Sequence, residues 1–170
     1  MVLHRILTIV AALAMAGCVT AAGLGSTRDV SGSDDAAAAT AILDTLRAEG
    51  VPAEPASDER SVFVYQRGMA TLLSPIVQSE GLDRIVATRR YAPAAGAGDQ
   101  DLRDLAGRLN DTLNVGVFSV DEGVLVFQSQ MTFVDRLQGS ELLAFLGWLD
   151  AVELAIARVD GSPAALLLTE

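Results

Sequence analysis

Lysine is missing from all 170 residues, and histidine and cysteine occur once each, at His4 and Cys18. Each absence removes a class of chemistry. Ser-His-Asp, Cys-His, Ser-Lys and Schiff-base mechanisms need imidazole, amine or thiol groups to hold or move a proton near neutral pH. Zinc, haem and copper sites draw mainly on His or Cys ligands, so neither a transition metal nor any other cofactor is expected. The phosphate-cradling GxxxxGK[ST] loop requires the lysine that is lacking. With one cysteine, no disulfide forms within the chain, and core packing alone must hold the fold. Positive charge is also scarce: 12 arginines face 22 acids, for a net charge of −10. Nucleic acid and anionic membrane surfaces are therefore poor partners for the folded part. Aromatic residues are 5% of the chain, with a single tryptophan, too few for the exposed stacking platform of a sugar cleft.

What the sequence does have begins at its N-terminus. His4 and Arg5 precede the apolar run Ile6 to Ala16, and small residues lead into Cys18. This layout suits an exported chain. Met15-Ala16-Gly17-Cys18 resembles the lipobox of bacterial lipoproteins, with Met15 where leucine is more usual. The resemblance implies that residues 1–17 are a signal peptide and that Cys18 is the lipid-attachment site. Two other readings remain open, an uncleaved helix over Ile6 to Leu24 and a plain secretory signal. Each of the three exports the remainder to the cell envelope. Val19, in place of an inner-membrane retention Asp, leans toward the outer membrane. Cleavage leaves 153 residues with no His or Lys and a net charge of −11.

Residues 18–35 are rich in Gly, Ala, Ser, Thr and Asp and read as a flexible spacer after the lipidated cysteine. Residues 36–160 read as a single domain and 161–170 as a tail. A helix is expected over Asp35 to Glu49, with Ile42, Leu43 and Leu46 on its apolar face. Pro52 and Pro55 read as an extended link. Ser61 to Arg67, Met69 to Gln78 and Leu82 to Tyr91 follow as strands, the second troubled by Pro75. Ala92 to Gly98 is a loop, and Asp99 is expected to cap a helix reaching Leu113. Asp99, Asp101 and Asp104 fit the positive end of that helix better than a calcium loop, whose ligand spacing they break. Val115 to Val120 and Val124 to Phe133 form a hairpin across Asp121-Glu122-Gly123. The last helix runs from Ser140 to Arg158, with Leu142, Phe145, Leu146, Leu149, Val152 and Ile156 on one stripe. The order α-βββ-α-ββ-α describes an α+β fold with an antiparallel sheet.

The run Leu109-Asn110-Asp111-Thr112-Leu113-Asn114-Val115-Gly116-Val117, the Asp121-Glu122-Gly123 turn and Val124-Leu125-Val126-Phe127 resemble YbjN-domain proteins. That family is similar in fold to type III secretion chaperones, which bind partner polypeptides and often dimerise through helices. The resemblance implies a YbjN-like, chaperone-like domain. Two functional classes compete. One is a non-catalytic module, tethered to the membrane by lipid, that recognises a protein or peptide by a sheet edge or a helix groove, a second copy of the chain being one candidate partner. The other is a carboxylate-dependent hydrolase of the envelope, since Asp and Glu are the one catalytic resource in quantity. The last helix is apolar nearly all round, so Trp148, Leu143 and Leu154 are candidate partner contacts. Arg84 and Arg90 are candidate receivers of an anionic or carboxylate group. Arg84, Arg89 and Arg90 otherwise read as solvated edge charges, with Arg89 and Arg90 on opposite faces.

Overall fold

A computed structural model describes residues 27–78 and 82–166. The signal segment and Cys18 lie outside the described residues. The elements are α1 (Asp35–Ala48), β1 (Ala53–Pro55), β2 (Val62–Gln66), β3 (Met69–Ile76), β4 (Asp83–Tyr91), α2 (Asp99–Thr112), β5 (Val117–Asp121), β6 (Val124–Phe133), α3 (Gly139–Ile156) and a single turn, α4 (Ser162–Ala165). The fold is α+β. Its strands form one antiparallel sheet in the order β1-β2-β3-β4-β6-β5.

Local chemistry sets the turns. The β2–β3 and β5–β6 connections are two-residue loops, Arg67-Gly68 and Glu122-Gly123, with both residues of each at positive φ. This backbone twist matches that of the paired strands, and glycine adopts it without a Cβ penalty. Pro75 survives in β3 because the β2 ladder stops at Val62↔Leu73, so only β4 lies beside the proline. A residue without an N–H is tolerated where one side of a strand has no neighbour.

Period-two alternation then sorts side chains between two faces of the sheet. Val62, Val64, Leu73, Ile85, Ala87, Leu125 and Phe127 point inward and join Ile42 and Leu46 of α1, Leu102, Leu105 and Leu109 of α2, and Leu142, Leu146, Leu149 and Ile156 of α3 in one buried cluster. Phe118 stacks on Phe127 within it at 4.8 Å.

Four expectations need correction. The Pro52 to Pro55 link is a strand, β1, registered Ala53↔Val64 on β2. The helix α2 is capped by Gly98, and Asp101 rather than Asp99 closes the cap by accepting from the Gly98 N–H at 2.8 Å. The domain also begins before residue 36 and ends after 160. Asp29 bridges Gln138, and Val30 is in the core with its N–H bonded to the Leu137 carbonyl. At the other end Leu166 bridges Pro93, and Ala165 and Leu166 complete the core. Val30 is a lone apolar residue in a polar stretch, where composition hides a single buried side chain.

Candidate functional site

Strand β4 organises both faces. Ile85, Ala87, Arg89 and Tyr91 point into the core side, while Arg84, Val86, Thr88 and Arg90 point outward. The sheet order places β4 between β3 and β6, so its arginines are central and not edge charges. Arg89 is 1% exposed. Its guanidinium donates to Thr71 Oγ1 at 2.8 Å, the Leu149 carbonyl at 3.0 Å, Glu153 Oε2 at 3.2 Å and Asp150 Oδ1 at 3.3 Å. Arg67, in the β2–β3 turn, holds the other Asp150 oxygen at 3.5 Å. A buried charge this well partnered clamps α3 to the sheet. Tyr91 lies beside it with a hydroxyl that finds no hydrogen-bond partner. Burial pushes that phenol up to about 12, with Glu153 adding to the rise and Arg89 opposing it.

The outward face is different in kind. Phe63, Leu72, Ile76 and Val86 are half-buried there, and none of them belongs to the core cluster or packs against it. One row across the sheet reads Glu54, Phe63, Leu72, Thr88, Gln128, Val117 in register. The apolar part lies over β2, β3 and β4. Gln128, Gln130 and Thr132 make the β6 side polar, and Tyr65 donates to Glu54 on the β1 side, which raises its phenol. Arg84 sits at the end of the apolar patch, between Ile76 and Thr132. Its Nε is buried without a hydrogen-bond partner, and it makes no ion pair among the described residues. Arg90 is committed to the hairpin, pairing with Asp121 at 3.1 Å and Glu122 at 3.5 Å.

Both sheet edges are blunted. β1 is three residues long and ends in Pro55, and a proline removes a ladder donor. At β5 the Asn110 side chain of α2 accepts from the Phe118 N–H at 2.8 Å and donates to its carbonyl at 2.9 Å. One amide thus occupies two of the backbone groups that an added strand would use. Gly116 lets the start of β5 lie close against β6: a Cβ there would lie 2.3 Å from the Gln128 carbonyl oxygen. Asn110 and Gly116 both belong to the run Leu109 to Val117, which joins α2 to the sheet.

Set against known protein families, curated proteins and solved structures, the chain matches none. Its own geometry carries the reading.

The candidate contacts fall on two opposite surfaces. Trp148, 39% exposed, and Leu154, 54% exposed, lie on the outer side of α3. Trp148 stacks on Phe145 at 5.8 Å and 15°. Leu143 is half-buried and packs against the core cluster. Arg84 and Arg90 are on the sheet's outer face. Sequence spacing cannot join or separate these groups, because the side of a helix facing solvent is set by what covers its other side.

Carboxylates are abundant, and those beside the core and the start of α1 are engaged. Asp150 and Glu153 point to Arg89. In an open cleft of about 610 Å³ beside the start of α1, Asp34 accepts from the Ala37 N–H and Asp35 from the Val77 N–H, both at 2.8 Å. Among the described residues, no three His, Cys, Asp or Glu side chains converge on a metal position, and no helix is long and apolar enough to cross a membrane.

Proposed function

We propose that this chain is a non-catalytic binding module of the cell envelope, anchored through lipid on Cys18 on the extracytoplasmic side, that takes a protein or peptide partner on the outer face of its sheet. The observation that carries this reading is the patch of Phe63, Leu72, Ile76 and Val86, left outside the core cluster while both sheet edges are blunted. Apolar area of this kind, rimmed by polar side chains, is the common form of a protein-contact surface. The occupant is a polypeptide segment that brings apolar side chains to this patch and a carboxylate to Arg84. The scarcity of proton-moving side chains beyond residue 17 supports binding over catalysis. The YbjN-like run and the chaperone-like fold it implies are consistent with a polypeptide ligand. The lipobox-like leader supports the anchor and leans to the outer membrane.

The test places a photo-crosslinking residue at Val86, on the sheet face, or at Arg103, on the exposed side of α2, in the full chain expressed in its own envelope. A discrete polypeptide adduct is expected from position 86 and not from 103. Mapping should find it on a segment with apolar and acidic residues, and Arg84→Glu should reduce it at least tenfold. Equal adducts at both positions, or none at 86, overturn the proposal. A clickable fatty acid should label the wild type and not Cys18→Ser; an unlabelled wild type removes the anchor.

A further inference from the structure

The chain enters the folded domain beside the start of α3. The Gly139 N–H donates to the Arg28 carbonyl and the Val30 N–H to the Leu137 carbonyl, both at 2.9 Å, and Asp29 bridges Gln138. Nine residues separate Arg28 from Cys18, and a stretch of that length spans at most about 35 Å when fully extended. With lipid on Cys18, as proposed above and as this inference requires, the membrane lies within that reach of the first turn of α3. Trp148 is only about 14 Å further along the helix from Gly139, at 1.5 Å per residue.

The helix layer turns three outer sides away from the sheet, and they differ in charge. α1 exposes Thr40, Asp44 and Arg47, and α2 exposes Arg103, Asp104, Arg108 and Asp111. α3 exposes Ala144, Gly147, Trp148, Ala151 and Leu154, while its acids Asp150 and Glu153 face Arg89 beneath it. Exposed charge returns only at Glu141, in the first turn, and at Arg158, past the last one. In a chain that is 20% charged, a helix face bare of charge marks a surface that something covers.

We infer that the outer side of α3 rests on the lipid surface in which Cys18 is anchored, with the helix axis along the membrane plane and Trp148 and Leu154 among the headgroups. Indole suits this boundary, because its apolar body and its N–H are both served where lipid meets water. Phe145 stacks on Trp148 at 5.8 Å and holds the ring in place before contact, which lowers the ordering cost. Ala144, Gly147 and Ala151 add no bulk between Trp148 and Leu154, so both larger side chains reach one plane. The attraction is apolar and not electrostatic, since a net charge of −10 opposes anionic headgroups. The face is small, and the tether makes it sufficient: holding the domain near the surface raises the effective concentration, so a contact too weak for a free domain becomes populated. Because the sheet lies on the other side of the helices, the patch of Phe63, Leu72 and Val86 then faces away from the membrane, toward an arriving partner.

The experiment places the full chain, purified from its own envelope, in phosphatidylcholine vesicles, plain or brominated on the acyl chains, and reads flotation and the emission of the sole tryptophan. The chain should float with the vesicles, and an indole at headgroup depth should lose at least about half of its emission to the bromines. Ala151→Glu puts a charge in the middle of the face at an exposed position; it should abolish the quenching and shift emission to the red. Gly107→Glu, on the exposed side of α2 where a Cβ meets nothing within 4 Å, should change neither. A chain that floats with Trp148 unquenched, or quenching indifferent to Ala151→Glu, overturns the inference and leaves the anchor standing. Emission shifted to the blue without quenching overturns it too, since it sets protein, a second copy included, against the face in place of lipid. A chain that does not float removes the anchor and this inference with it.

Discussion

Arg89 shows how a single side chain can tie distant parts of the chain together. Its guanidinium is spent on Thr71, on the Leu149 carbonyl and on two acids of α3, so removing it strands Asp150 and Glu153 in a poorly solvated seam. Arg89→Ala should therefore destabilise the fold by about 3–5 kcal/mol in urea unfolding followed by circular dichroism. Replacing the whole group by Arg89→Met with Asp150→Asn and Glu153→Gln should recover much of that loss, because no unpaired charge remains. Tyr91 gives a pH signature. Its folded-state value of about 12 lies above the ordinary phenol value, so the neutral form it stabilises is fully present below about pH 10. Between about pH 10 and 12 the unfolded chain loses this proton while the folded chain keeps it, and stability falls as pH rises. Absorbance at the phenolate band should show both tyrosines titrating above the ordinary value, since Glu54 also raises Tyr65. Tyr91→Phe should cost less than about 1 kcal/mol, as its hydroxyl has no hydrogen bond to lose.

Elements meet through a few specific devices. The α2–β5 junction rests on Asn110, whose amide substitutes for a neighbouring strand at Phe118. Asn110→Leu keeps the volume and deletes both bonds, leaving the Phe118 N–H and carbonyl without partners. A loss of about 1–3 kcal/mol is expected. The freed edge should also raise strand-mediated association, seen as increased thioflavin fluorescence on prolonged incubation near the unfolding midpoint. The Glu122-Gly123 turn is local and was readable from residue type, whereas the α2 cap falls on Gly98, one residue before the expected Asp99. The Asn110 contact was not readable, because its partner is a strand placed beside α2 by the sheet order.

The molecule as a whole is larger than its composition implies. Val30 and Leu166 stand in stretches that read as spacer and tail, yet both are nearly fully buried in the same core cluster. Leu166→Ala should cost about 2–5 kcal/mol, measured by thermal unfolding, comparable to truncation inside a helix stripe. A negligible loss would return residues 161–166 to the status of a tail. The two-layer build, with helices on one side, is what leaves a second sheet face open and makes a tethered binding surface geometrically available.

The sequence by itself determined the chemistry that is missing, the order of the principal helices and strands, and the two apolar sides of the last helix. These follow from composition and from short periods, of two in strands and 3.6 in helices, which involve neighbours only. Strand order belongs to the tertiary structure. Placing β4 between β3 and β6 turned Arg89 from an edge charge into a buried clamp across 60 residues of chain, and it put Arg84 and Trp148 on opposite sides of the domain. Such pairings are fixed by which faces bury each other, a property of the whole core that no local pattern contains.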